Sequence, residues 1–228
     1  AEGVASSPQD VTMLMVRNFL SGGAAINTLC AVAGAELCVV DAGTAQEIDY
    51  DHAQLIKAKI AHGTANIAKR PAMSHEQCLS ALRLGIGLAD AACNEGVRVL
   101  GTGEMGIGNT TSSSALLCAY MGFDASEMTG MGAGVPSAGL AHKCRIIEQA
   151  LYVNRGAVES EDPLAVLAAL GGLEIAALAG LTLGGAARRM AVLVAGFIPT
   201  AACGAAWKAV PAGRGHRFLS HGSPGAGH

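Results

Sequence analysis

Glu104 is the only charged residue between Gly101 and Gly108, in the run VRVLGTGEMGIGNTTSSSALL that spans Val97 to Leu117. Gly101, Gly103, Gly106 and Gly108 surround it, and Asn109, Thr110 and Thr111 follow. Glycines let the main chain curl closely around a ligand where a Cβ would obstruct it. A helix starting after such a turn aims its unpaired N–H groups and positive dipole end into the same space. Asn109, Thr110 and Thr111 offer caps and side-chain donors at the start of that helix. A carboxylate beside an anion site is costly unless it has a role there. The pattern therefore implies a phosphate-bearing substrate held by backbone and handled by an acid or base.

An anion loop without its own cation recruits one from elsewhere. Lys143 is the candidate, with Arg145 and Lys69 behind it, although a lysine on a helix also reads as part of a solvated face. His62 and His221 fall at strand ends and His142 on a helix surface, and no metal-ligand spacing joins them. Glu174, in GGLEIAALAG, is either a helix-start carboxylate favoured by the dipole or a group facing the pocket. Other identities for the glycine run stay open on these residues. GTGEMG matches GxGxxG, but dinucleotide binding also wants an acid closing a second strand about 20 positions on. Asp124 and Glu127 lie at that distance in GFDASEMTG, which reads as a loop. The Walker pattern lacks its Lys-Ser/Thr, and a tight turn with no ligand is the plainest alternative.

The elements that would position these groups alternate. Helical spacing covers 9–21 and 23–34, with a strand from Glu36 to Asp41 and Gly43, a polar loop, and a second strand in LIKAKIAHG. Ser74 starts a long helix with Gln77 as its capping-box partner, running to Asn94 with Gly96 just past its end. The strand Val97–Gly101 and the helix Asn109–Met121 flank the glycine turn. GMGAGVP (Gly130–Pro136) is a second loop, and helices follow at Leu140–Tyr152, Pro163 and Leu173. MAVLVAGF reads as a buried strand, Pro199 opens a helix, and HRFLSHG is a last strand. Such alternation predicts an α/β fold, a Rossmann-like parallel sheet with helices on both faces. Ligands then bind beyond strand ends, here Asp41–Gly43, His62–Gly63, Gly101–Glu104, Gly196–Phe197 and Ser220–His221.

The 228 residues are 51% hydrophobic, enough for one substantial core, and carry a formal charge of −3, which excludes a basic stripe for nucleic acid. Seven single cysteines with no CxxC predict buried thiols in a reducing, cytoplasmic compartment rather than a zinc site or disulfide framework. AEGVASSPQD has neither the basic nor the apolar region of a signal peptide. The uncharged stretch of 18 residues from Met190 to Trp207 raises a membrane reading, which the break at Pro199 disfavours. With aromatics at 4%, helices are expected to pack through small side chains.

Several strings together resemble the nicotinate-nucleotide:dimethylbenzimidazole phosphoribosyltransferase family. They are SPQDVT (Ser7–Thr12), GGAAIN (Gly22–Asn27), VVDAG (Val39–Gly43), HGTANIAKRPAMS (His62–Ser74), GEMGIGNTTSSSALL (Gly103–Leu117), GLAHK (Gly139–Lys143), ALGGLEIAALAG (Ala169–Gly180), VLVAGF (Val192–Phe197) and SHGS (Ser220–Ser223). The resemblance implies a single α/β core domain over 1–228, with 1–34 belonging to a small helical domain otherwise largely missing here, and a homodimer. It also implies phosphoribosyl transfer from nicotinate mononucleotide to a benzimidazole, giving the α-linked nucleotide of the cobalamin lower ligand, with no metal or redox cofactor. By motif, Gly106 and Lys143 would contact phosphate, with Gly108, Asn109, Thr110 and Thr111 beside the phosphate and ribose. Glu104 would sit at the reacting ribose and base. Ser7, Met105, Glu174, Ser220, His221 and Ser223 would line the base pocket. The family's general-base glutamate, in a Gly-Glu-Gly string, would fall beyond His228, and Gly225 stands where a glutamate is usual. A non-catalytic binding subunit is the alternative these departures leave.

Overall fold

A computed structural model describes residues 8, 10–129, 137–211 and 217–219. The chain runs α1 (Asp10–Leu20), α2 (Ala25–Ala33), β1 (Val39–Asp41), β2 (Leu55–Lys57), α3 (His75–Asn94), β3 (Val99–Gly101) and α4 (Asn109–Met121). It continues with α5 (Ala125–Met128), α6 (Ser137–Val153), α7 (Arg155–Glu159), α8 (Pro163–Leu170), α9 (Leu173–Ala187), β4 (Ala191–Val194), α10 (Phe197–Ala209) and β5 (Arg217–Leu219). Every strand pairing among the described residues is parallel, as the α/β reading requires. The strands form two ladders, β1–β2 and β3–β4–β5, with β4 central in the second.

The core is helical and built on small residues. Leu116, Ile147, Leu167, Leu170 and Ile175 bring α4, α6, α8 and α9 together without solvent exposure. Helices α3 and α9 approach until backbone meets backbone. A Cβ at Gly85 would stand 1.9 Å from the Ala177 carbonyl oxygen, and one at Gly180 would stand 2.0 Å from that of Leu82. The expectation of packing through small side chains is met at this seam. Val192 and Val194 bury one face of the second ladder, whereas Val99 and Leu193 remain 53% and 41% exposed on the other. Apart from this core, Met13 and Val16 of α1 pack on Ile48, with Val39 and Leu55 alongside. No residue of α2 is buried.

The Ser74 capping box forms as read: Gln77 N–H donates to Ser74 Oγ at 3.1 Å, and Ser74 N–H donates to Gln77 Oε1 at 2.9 Å. Gly96 takes its left-handed φ of 89° just past α3. Three local expectations need correction. The strands in AELCVVDAG and LIKAKIAHG shrink to Val39–Asp41 and Leu55–Lys57, because turns take up the glycine-bearing ends. GFDASEMTG is not all loop: Glu127 reaches back to accept from the Asp124 N–H at 2.8 Å and starts α5. Helix α10 begins at Phe197 rather than Pro199, with Gly196 (φ 96°) turning the chain and the proline in the first turn, where a missing N–H costs nothing. The Met190–Trp207 run is thereby divided between β4 and α10. No helix of the described residues is long and apolar enough to cross a membrane.

Candidate functional site

The loop 102–108 leaves the carboxyl end of β3 and turns into α4. Thr102 ties its start to the neighbouring strand: its N–H and hydroxyl both donate to the Leu193 carbonyl, at 3.1 and 3.0 Å. Gly106 and Gly108 then adopt φ of 80° and 82°, values that a Cβ makes costly. Gly106 sits beside the acid, its Cα facing Glu104 Oε2 so that a Cβ there would stand 3.8 Å away.

The predicted caps do other work. Gly108 is the N-cap of α4, and no side chain caps the helix. Asn109 is instead buried at 8% exposure, and its Nδ2 donates to Glu104 Oε2 at 2.8 Å. Its Oδ1 is buried without a partner among the described residues. Thr111 is buried as well. Thr110 Oγ1 accepts from Lys143 Nζ at 3.1 Å, which brings the distant lysine of α6 to the helix start as the sequence reading expects. Desolvation lowers the Lys143 ammonium below the ordinary lysine value. Arg145 and Lys69 stay exposed, Arg145 folding back onto the Ala141 carbonyl. His142 is likewise on the surface.

Glu174 is half-buried. At the second position of α9 it folds back over the N-cap Gly172, so that both carboxyl oxygens lie 2.7 Å from where a Gly172 Cβ would be. Its pKa is raised chiefly by desolvation and further by the charge of Glu104. The buried Asn109 thus holds the half-buried Glu104, a link that local spacing could not reveal. Met105, half-buried, follows Glu104 in the loop. Ser7, Ser220, His221 and Ser223, and the loop Gly130–Pro136, lie outside the described residues.

Two predicted strand-end positions are otherwise engaged. Asp41 accepts from the N–H groups of Gly43 and Thr44 at 3.0 and 2.8 Å and from the Thr44 hydroxyl at 3.0 Å. Lys59, 13% exposed, lies 3.5 Å from it and donates to the carbonyls of Thr44 and Gln46. His62 pairs with Glu47 at 3.2 Å on the surface. These groups brace the 43–47 turn. No cluster of His, Cys, Asp or Glu suited to a metal occurs among the described residues. The dinucleotide alternative loses its acid, because Asp124 and Glu127 cap α5 instead of closing a strand.

A phosphoribosyltransferase family model matches residues 1–228. The chain is 54% identical over 228 residues to a nicotinate-nucleotide–dimethylbenzimidazole phosphoribosyltransferase of Nitratidesulfovibrio vulgaris (strain DP4). It is 57% identical to the protein of that name from Oleidesulfovibrio alaskensis. Each match covers 100% of this chain and 64% of the relative, so the chain spans somewhat less than two thirds of their length. The crystal structure of CobT from Thermus thermophilus superposes with a TM-score of 0.87 at 39% identity, over 96% of this chain and 65% of that one.

Proposed function

The chain belongs to this phosphoribosyltransferase family, and on that premise we propose that it carries the nucleotide-binding core of a nicotinate-nucleotide:dimethylbenzimidazole phosphoribosyltransferase. The observation that carries the reading is the meeting of Lys143, Thr110 and the glycine turn at the start of α4, with Glu104 held beside them. The 5′-phosphate of nicotinate mononucleotide is held by Lys143 and the backbone at Gly106, with Gly108, Asn109, Thr110 and Thr111 beside the phosphate and ribose. A benzimidazole nitrogen forms the new bond to the ribose C1′ as the bond to nicotinate breaks, and the pair of electrons leaves with nicotinate. The proton on the attacking base is then lost, and Glu104 is placed to orient the reacting groups or accept it. Met105 and Glu174, with Ser7, Ser220, His221 and Ser223, line the pocket for the aromatic base. No metal or redox cofactor is needed for this displacement.

We further propose a cytoplasmic homodimer, with residues 1–34 belonging to the family's small helical domain. Supporting this are seven cysteines, none in a disulfide, and α2, whose Leu29 and Val32 are 63% and 84% exposed. Calorimetric titration with nicotinate mononucleotide tests the reading. Lys143→Ala removes a charge-assisted contact with the phosphate, so affinity is expected to fall about 10- to 100-fold. Equal affinities for the two proteins would refute it.

A further inference from the structure

The glycine-rich turn is tied at both ends. At its start Thr102 donates twice to the Leu193 carbonyl of β4. At its end Asn109, the first residue of α4, donates from Nδ2 to Glu104 Oε2 at 2.8 Å and so closes residues 104–109 into a ring. Gly103, Gly106 and Gly108 lie between the two ties, the last two at positive φ. Glycine gives such a segment more freedom to lose than any other residue, so its order depends on the ties. Helix capping does not account for Asn109, because Gly108 is the N-cap and no side chain caps α4. Stability does not account for it either. The side chain is 8% exposed, and its Oδ1 is buried with no partner among the described residues. A buried acceptor left unsatisfied opposes folding.

We infer that Asn109 is the positioning residue for Glu104: it clasps the glycine turn and pins the acid by Oε2, which leaves Oε1 for the bound nucleotide. The inference deepens the proposed function and rests on it for the identity of that ligand. Oε1 is engaged by no described residue. A neutral amide suits the task, since it fixes one carboxylate oxygen without bringing a cation to cancel the charge. Lys143, the cation at the same helix start, meets Thr110 instead. Direct contact of Asn109 with the nucleotide is the competing arrangement. It predicts that Asn109 matters equally whether or not Glu104 is present.

The clasp is read on the protein alone. A glutamate-specific protease cuts after Glu104 when the turn opens, and cleavage of a transiently open segment follows the population of its open form. Asn109→Ala removes the clasp and leaves a good helix former at the first position of α4. Hydrogen bonds to charged groups are worth about tenfold or more, so native-state cleavage after Glu104 is expected to rise about tenfold. Cleavage after Glu76, exposed in the first turn of α3, is expected to keep its wild-type rate. An unchanged rate after Glu104 would overturn the clasp. An equal rise at both sites would also overturn it, because that pattern means a general loosening of the fold. Asn109→Ser, whose side chain is one bond shorter, repeats the measurement in a second variant with the same expectation.

Action through Glu104 is read by a double-mutant cycle. Affinity for nicotinate mononucleotide is measured calorimetrically for wild type, Asn109→Ala, Glu104→Ala and the double variant. With Glu104 present, Asn109→Ala is expected to weaken binding about tenfold. In the Glu104→Ala background it has no acid left to hold, and its effect is expected to shrink to about twofold or less. A merely structural or a directly binding asparagine would give the same loss in both backgrounds, and that result would overturn the positioning role. Only this binding arm rests on the proposed function. Should wild type fail to bind the nucleotide, that reading falls, while the cleavage rates still decide whether Asn109 holds Glu104.

Discussion

Replacing Gly85 by alanine tests whether close backbone contact between α3 and α9 holds the fold and, through it, the site. The added Cβ would lie 1.9 Å from the Ala177 carbonyl oxygen, 2.4 Å from the Leu181 amide nitrogen and 2.9 Å from the Ala177 carbonyl carbon. All three are backbone atoms of a helix, so no side-chain rotation relieves the overlap. Either α9 moves away or α3 does. Overpacking a well-filled core costs about 1–3 kcal/mol and occasionally more, and contact with backbone belongs at the upper end. Alanine returns about 1 kcal/mol through helix propensity. The net expectation is a loss of about 2 kcal/mol, or about 4–8 °C in melting temperature for a chain of this size. Gly87 supplies the control within the same helix: it is exposed, and a Cβ there meets nothing within 4 Å. Gly87→Ala is expected to stabilise by about 0.5–1 kcal/mol. Thermal and urea melts of both variants decide the matter. A Gly85→Ala protein as stable as Gly87→Ala would refute the claim that this seam is set by backbone contact.

Asp41→Asn is expected to destabilise by about 2–3 kcal/mol in urea melts, because it weakens the turn's charge-assisted bonds and leaves the largely buried Lys59 short of a partner. Unchanged stability would show that the 43–47 turn does not depend on that carboxylate. Burial pushes the thiols of Cys78 and Cys118 up to about 11, with the charges of Asp162 and Asp124 respectively adding to it, while Cys38 is exposed. Mass spectrometry after brief alkylation should find Cys38 modified and the other two protected until denaturant is added. Native-state modification of all three at one rate would contradict the packing.

Elements whose signals are local were legible in the sequence. Ser74 and Gln77 define a helix start by side-chain reach alone, and Gly96 defines its end by a backbone conformation that glycine accepts at little cost. The glycine turn was legible for the same reason, and Lys143, read as the distant cation, does meet Thr110 at the start of α4. What failed were boundaries set by competing partners. Asp124 and Glu127 looked like loop residues because a four-residue helix has no periodicity to detect. The carboxyl of Asp41 looked available for a ligand because the sequence does not show that Thr44, Gly43 and Lys59 already use it. The Glu104–Asn109 bond was out of reach for a different reason. It needs Gly108 rather than Asn109 as the N-cap of α4, which spacing alone does not decide.

The choice of glycine at position 108 explains how a carboxylate can sit inside the proposed anion site. Had Asn109 been the N-cap of α4, its side-chain oxygen would accept from an N–H in the first turn, consuming a donor that the helix offers outward. Gly108 takes the cap in a left-handed conformation instead, with no side chain to contribute. Asn109 moves into the helix proper, where its amide turns inward to Glu104. Two consequences follow from this single shift. The first-turn N–H groups and the dipole end keep their capacity for a phosphate. The acid is meanwhile held by a neutral donor rather than by Lys143, whose own contact is with Thr110. On the proposed function, the phosphate-binding and acid–base groups are thereby kept on separate partners within one turn of helix, so that each would act on a different part of the nucleotide without cancelling the other.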